Sequence, residues 1–124
     1  MDAQYRFRVR VRLEPAADDV RLEPETFETA CSLTAPEPET EGWRLFRDLL
    51  WRGEVSDQTY ASRLFSEKLG VPVESVEFAA LHTDEAYLEA LEEAIAADLE
   101  AFKADDVTEV RSKYFGSSVI VERE

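Results

Sequence analysis

The chain has 124 residues with 28 Asp and Glu against 14 Lys and Arg, a formal net charge of −14, and is expected to form a single domain over 1–124. Its 44% hydrophobic content excludes wholesale disorder, and its one cysteine, Cys31, excludes an internal disulfide. No apolar run approaches the roughly 18 residues of a membrane-spanning helix, and the N-terminus lacks the apolar block of a signal peptide, so the expected setting is cytoplasmic.

Residues 4–13 place Tyr5, Phe7, Val9, Val11 and Leu13 alternately with Arg6, Arg8, Arg10 and Arg12. That period of two predicts a half-buried strand with an uncovered arginine face. Residues 14–24 form a Pro-bearing acidic connection. A second strand is predicted over 25–34, with Phe27, Thr29, Cys31 and Leu33 on one face and Glu28, Ala30, Ser32 and Thr34 on the other. The two strands are expected to be antiparallel neighbours. Residues 35–41, Ala-Pro-Glu-Pro-Glu-Thr-Glu, make a stiff charged loop. Trp43, Phe46, Leu49 and Leu50 have helical spacing and predict a helix over 42–52, with Gly53 just past its end. Ser56 offers an N-cap for a helix over 57–69, with Tyr60, Leu64, Phe65 and Leu69 along one side and Gly70 and Pro72 ending it.

Val76, Phe78, Ala80 and His82 read as a third alternating strand, and Thr83 as the cap of a helix over 84–104. Leu88, Leu91, Ile95 and Phe102 face the core of that helix, and Glu85, Glu89, Glu92, Glu93 and Glu100 its opposite side. At 1.5 Å per residue it would span roughly 31 Å, close to the ~33 Å of a ten-residue strand, and so cover the sheet lengthwise. Val107, Val110 and Tyr114 predict a short helix ending at Gly116, and residues 117–122 a last strand. The order β-β-α-α-β-α-α-β predicts an α+β two-layer sandwich, a mixed four-stranded sheet with helices on one face.

The acidic excess, the absence of Asn and the preference for Arg over Lys (eleven against three) describe a protein shaped for concentrated salt. There the Debye length falls to about 3 Å at 1 M, and mutual repulsion of the carboxylates is quenched. The arginine ladder of Arg6, Arg8, Arg10 and Arg12 suits phosphates, nucleic acid or a partner's carboxylates. Four phosphate contacts give a salt slope of about −3.6, so going from about 0.1 M to about 3 M salt would cost about five orders of magnitude in affinity. Nucleic acid is therefore the disfavoured partner. Cross-strand pairing with Glu28, Glu77 or Glu122, at roughly 0.2–1 kcal/mol each, is the simpler role.

Trp51 and Arg52, with Arg44 and Arg47 nearby, have the composition of an interface hot spot and equally of a structural cation–π contact. His82 is the single histidine. A pocket joining it to Cys31, Ser117 or Ser118 would make a small enzyme or ligand-binding module, but nothing in the spacing brings them together, and no catalytic residue is assigned. One His and one Cys without ligand spacing point to no metal site and no cofactor. Gly116-Ser117-Ser118 joins a helix to a strand, the reverse of a phosphate cradle, and reads as a C-cap and turn. Cys31 alternates with core-facing residues and is expected to be a buried small hydrophobe.

The stretch Gly42-Trp43-Arg44-Leu45-Phe46-Arg47-Asp48-Leu49-Leu50-Trp51-Arg52-Gly53, with Thr83-Asp84-Glu85-Ala86-Tyr87-Leu88 and Lys113-Tyr114-Phe115-Gly116-Ser117-Ser118, resembles the LWR-salt proteins of salt-loving archaea over nearly the whole chain. The resemblance implies a haloarchaeal setting and no activity. The expectation is thus a non-enzymatic domain for protein interaction or self-association. Its surface would draw on Arg6, Arg8, Arg10, Arg12, Arg44, Arg47, Trp51 and Arg52.

Overall fold

The computed structural model describes residues 1–122. Its main sheet has the order β2-β1-β5-β6, where β1 is Ala3–Arg12, β2 Thr26–Thr34, β5 Val73–Thr83 and β6 Val119–Val121. β1 runs antiparallel to both β2 and β5, and β6 runs parallel to β5. This is the mixed four-stranded sheet of an α+β fold. Every second residue of β1 is buried, so Tyr5, Phe7, Val9 and Val11 enter the core and the arginines face away from it.

Two predicted helices are broken, for physical reasons that neighbouring segments supply. The first is only α1, Leu45–Leu49. Residues 50–52, expected to end that helix, instead open a hairpin of β3, Leu50–Trp51, and β4, Glu54–Val55. Arg52 and Gly53 both have positive φ (52° and 83°), as a two-residue hairpin turn of the primed type requires. Their N–H groups donate to Lys113 O at 2.7 Å and Tyr114 O at 2.9 Å. Those carbonyls close helix α4, Val107–Tyr114, where no intrahelical donor remains for them. A continued first helix would have consumed the same N–H groups.

The second is α3, Glu85–Ala96, which stops well short of residue 104. Its 12 residues cover about 18 Å, and it does not run the length of the sheet. Asp98, a poor helix-interior residue, turns aside to form an ion pair with Arg44. A 3₁₀ turn, Leu99–Phe102, then carries Phe102 onto Phe46, stacked at 5.5 Å with 10° between ring planes. Helix α2 is Gln58–Leu69 and ends at Gly70, φ 74°. On it Ala61 and Phe65 are buried, while Tyr60 and Leu69 are exposed, contrary to the face predicted from spacing.

The caps of α2 and α3 fall one residue beyond those expected. Asp57 accepts from the Tyr60 N–H and Asp84 from the Tyr87 N–H, and Asp106 does the same for Glu109 in α4. Ser56 and Thr83 instead donate their hydroxyls to the carbonyls of Leu49 and Asp84.

β5 does not keep one face. Phe7 pairs with Phe78 but Arg6 with Ala80, so Ala79 is an extra residue that shifts the alternation. Val76 and Phe78 lie on the core side, as predicted. Ala80 and His82 are turned to the arginine face, and Leu81 and Thr83 take the core positions.

The edge of β5 that β6 leaves free is capped at Val76 by a side chain. Gln58 donates to Val76 O at 2.6 Å and accepts from the Val76 N–H at 3.1 Å, standing in for a strand. Gln58→Leu is expected to leave both groups of the fully buried Val76 unpaired and to lower the unfolding free energy by about 1–3 kcal/mol. Denaturant unfolding reads this directly, and an unchanged midpoint would refute the edge-capping role.

β2 is only partly covered by the core. Phe27 is exposed, and Leu33 and Cys31 are only half-buried. Cys31 is therefore not the buried hydrophobe expected. Partial burial still raises its thiol pKa.

Candidate interaction surfaces

The Leu50-Trp51-Arg52 segment is divided by its hairpin. Leu50 is buried in the core, whereas Trp51 keeps 45% of its surface exposed. Tyr114 braces the Trp51 ring edge-on at 6.2 Å. The Arg52 guanidinium lies 5.7 Å from the Trp51 centroid and the Lys113 ammonium 6.0 Å from it. That ammonium donates to Phe102 O at 2.7 Å and Lys103 O at 3.3 Å, which fixes it in place. Trp51 and Arg52 line a groove of about 510 Å³ with Glu109, Ser112 and Lys113 of α4.

The hairpin and α4 fit through two glycines. A Cβ on Gly53 would come within 3.0 Å of Phe115 O, and one on Gly116 within 3.0 Å of Arg52 O. Both glycines have positive φ as well. The quoted Leu50–Gly53 and Lys113–Ser118 segments, far apart in sequence, are thus one structural unit. Arg52 occupies the left-handed region without being glycine, a conformation that costs of order 1–3 kcal/mol and recurs at functional positions.

Arg44 and Arg47 do not reach this groove. Arg44 lies over Trp43 at 5.0 Å and pairs with Asp98, with its Nε buried and without an acceptor. Arg47 pairs with Asp48 at 3.6 Å and donates to Ala101 O at 3.4 Å. Both fasten α1 to its surroundings and line a separate cleft with Trp43 and Asp48.

The four arginines of β1 share the open sheet face, but their partners differ. Arg8 pairs with Glu77 at 3.0 Å. Arg12 pairs with Glu74 and with Glu25 at 3.7 Å, and the Glu74 hydrogen bond raises its already high pKa. Arg10 lies opposite Glu28 in the ladder and Arg6 opposite Ser32. Among the described residues neither Arg6 nor Arg10 forms an ion pair. Glu122, considered as an arginine partner, meets His82 at 2.9 Å instead.

His82 and Arg6 border a polar cleft of about 640 Å³ at one end of the sheet, with Gln4, Thr34, Asp84 and Glu122. Asp84 accepts backbone N–H bonds from Tyr87 and Asp2, and these hold its carboxyl below the usual range. The stability this adds is present above the ordinary carboxylate pKa and is lost as pH falls through the lowered one. Cys31, Ser117 and Ser118 do not line the cleft, so the geometry joins His82 to none of the three. Gly116, φ 61°, ends α4 as the expected turn. Among the described residues no group of three or more His, Cys, Asp or Glu is placed to hold a metal ion. No described helix is long and apolar enough to cross a membrane.

Sequence reasoning missed Lys113, Ser112 and Glu109 as neighbours of Trp51, because a helix over 42–52 would have aimed the indole elsewhere. The one available signal was Gly53, which supplies positive φ to a hairpin turn as readily as to a helix end.

Nothing among curated proteins or solved structures matches the chain. The family model described as LWR-salt protein matches residues 1–124, the whole chain. The segment that carries the name's letters, Leu50-Trp51-Arg52, is the hairpin that closes α4, and on the full-length match the chain belongs to the LWR-salt protein family.

Proposed function

We propose that this is a protein-binding domain of a salt-adapted cytoplasm, with the Trp51–Arg52 groove as its principal contact surface. One observation carries the reading. A large exposed aromatic is braced by Tyr114 with the Arg52 and Lys113 cations beside it, on a hairpin whose backbone is locked to α4. Trp with Arg is the composition that dominates interface energetics when covered. The two cations favour a partner segment that offers a carboxylate beside an apolar side chain. Arg6 and Arg10, on the open sheet face, extend the cationic surface available to a partner. A small enzyme at the His82 cleft is less well supported, because no nucleophilic side chain named for it lines the cavity.

The test is affinity capture from a native-host lysate kept in saturating KCl, with wild type and Trp51→Ala as baits. Trp51 is nearly half exposed and lies outside the core, so the variant is expected to keep its far-ultraviolet circular dichroism. It is expected to lose about 2 kcal/mol or more of binding, roughly thirty-fold in Kd. Recovery of the same partners at the same affinity would overturn the assignment.

A further inference from the structure

The two long edges of the sheet are treated unequally. On one side Gln58 occupies the hydrogen-bonding groups of Val76, and β6 has only 3 residues. On the other, β2 presents 9 residues, Thr26–Thr34, with no Lys, no Pro and a single charge, Glu28. Its ladder with β1 has no bulge. Among the described residues no further hydrogen bond reaches β2 from its outer side. Exposed edges of this length normally carry one of these devices against pairing. Its apolar row is also left open, with Phe27 42% exposed.

We propose that β2 pairs antiparallel with β2 of a second copy about a two-fold axis at Ala30, joining two four-stranded sheets into one of eight strands. The proposal extends the interaction reading to the β2 edge and does not depend on the Trp51 groove. Because side chains alternate, only registers that keep each face continuous are allowed, and the one centred on Ala30 pairs all 9 residues. In it Phe27 faces the partner's Leu33, and Thr29 faces the partner's Cys31. Glu28 faces the partner's Ser32, and Thr26 the partner's Thr34. No like charges meet directly, on a chain of net charge −14.

The same register also offers Arg6 a carboxylate. Arg6 lies opposite Ser32, so the partner's Glu28 sits two strand spacings away, about 9.6 Å between backbones and within the joint reach of the two side chains. Each Glu28 then lies between its own Arg10 and the partner's Arg6. Backbone hydrogen bonds and apolar contact carry most of the association, and concentrated salt does not screen them.

Analytical ultracentrifugation in multimolar KCl is expected to show the mass doubling with concentration. Under oxidised glutathione, Thr29→Cys is expected to bond to Cys31 of the partner subunit and run as a linked dimer on a denaturing gel. Wild type is expected to stay unlinked, because Cys31 faces Thr29. Phe27→Lys sets an ammonium into the apolar row and is expected to weaken the dimer at least tenfold with circular dichroism unchanged. A folded monomer at every concentration overturns the proposal. So does a Cys31–Cys31 link in wild type, an unlinked Thr29→Cys, or a dimer indifferent to Phe27→Lys. Linkage of Thr29→Cys to a different protein overturns it in favour of a foreign strand. Trp51→Ala is expected to leave the dimer intact, so loss of partner capture and loss of dimerisation are read separately.

Discussion

Phe46→Ala is expected to lower the unfolding free energy by about 3–5 kcal/mol, a large share of the roughly 5–15 kcal/mol that holds a domain of this size. Phe46 is wholly buried. Its ring stacks on Phe102, meets Tyr114 edge-on at 5.7 Å and lies 4.9 Å from Phe115. It also approaches Trp43 at 6.4 Å. These neighbours come from the turn before α1, the 3₁₀ turn and the C-terminal end of α4, so the cavity would open where three segments converge. The surrounding rings are large and held by their own backbones, which limits collapse into the space. Tyr114 also braces Trp51. The variant is therefore expected to loosen the Trp51 groove as well as the core, seen as a shift in indole fluorescence before the main unfolding transition. Phe46→Leu keeps most of the volume and is expected to cost far less. Equilibrium denaturation in concentrated KCl supplies the numbers. A loss below about 1 kcal/mol for the alanine variant would show that this aromatic cluster is not the keystone of the helical layer.

Dilution out of salt is expected to be the second large effect. The chain carries twice as many acidic as basic residues, and its five arginines with described ion pairs, Arg8, Arg12, Arg44, Arg47 and Arg111, leave a large anionic excess. At 0.01 M ionic strength the Debye length is about 30 Å, comparable to the molecule, so the surface carboxylates repel one another across the whole fold. At 1 M it is about 3 Å and only contact pairs remain. We propose on this ground that thermal stability climbs as KCl is added. A rise in Tm of roughly 4 °C corresponds to about 1 kcal/mol for a domain of this size. Sucrose is the control, because an excluded neutral solute favours compactness without screening charge. A rise confined to KCl supports charge screening. A Tm that is flat or falling with KCl, or that rises equally in sucrose, would remove the case for salt adaptation.

The elements with an unambiguous period were legible in the chain. β1 was plain because Arg and apolar residues alternate without interruption through Arg12, and the position of β2 followed in the same way. The cap-bearing starts of α2 and α3 were displaced by one residue only, because Ser56-Asp57 and Thr83-Asp84 each offer two capping side chains and sequence does not rank them. The bulge at Ala79 was invisible, since Val76, Phe78, Ala80 and His82 alternate smoothly whichever way the extra residue falls. The break at Asp98 was hidden for a similar reason: no Gly or Pro marks it, and the Arg44 that draws Asp98 aside lies 54 positions away.

The candidate site divides along the same line. Composition and alternation alone determined the acidic excess, the main sheet with one arginine face, and the placing of Trp beside Arg at residues 51 and 52. Local pattern suffices for these because burial on one face of a strand imprints its period directly on the residues. Tertiary structure decided which way Trp51 points, what flanks it, and which arginines are committed to carboxylates. Each of those depends on backbone groups that meet across the fold: the N–H of Arg52 and Gly53 had a local alternative in a continued helix, and the unfilled carbonyls at the end of α4 settled the choice.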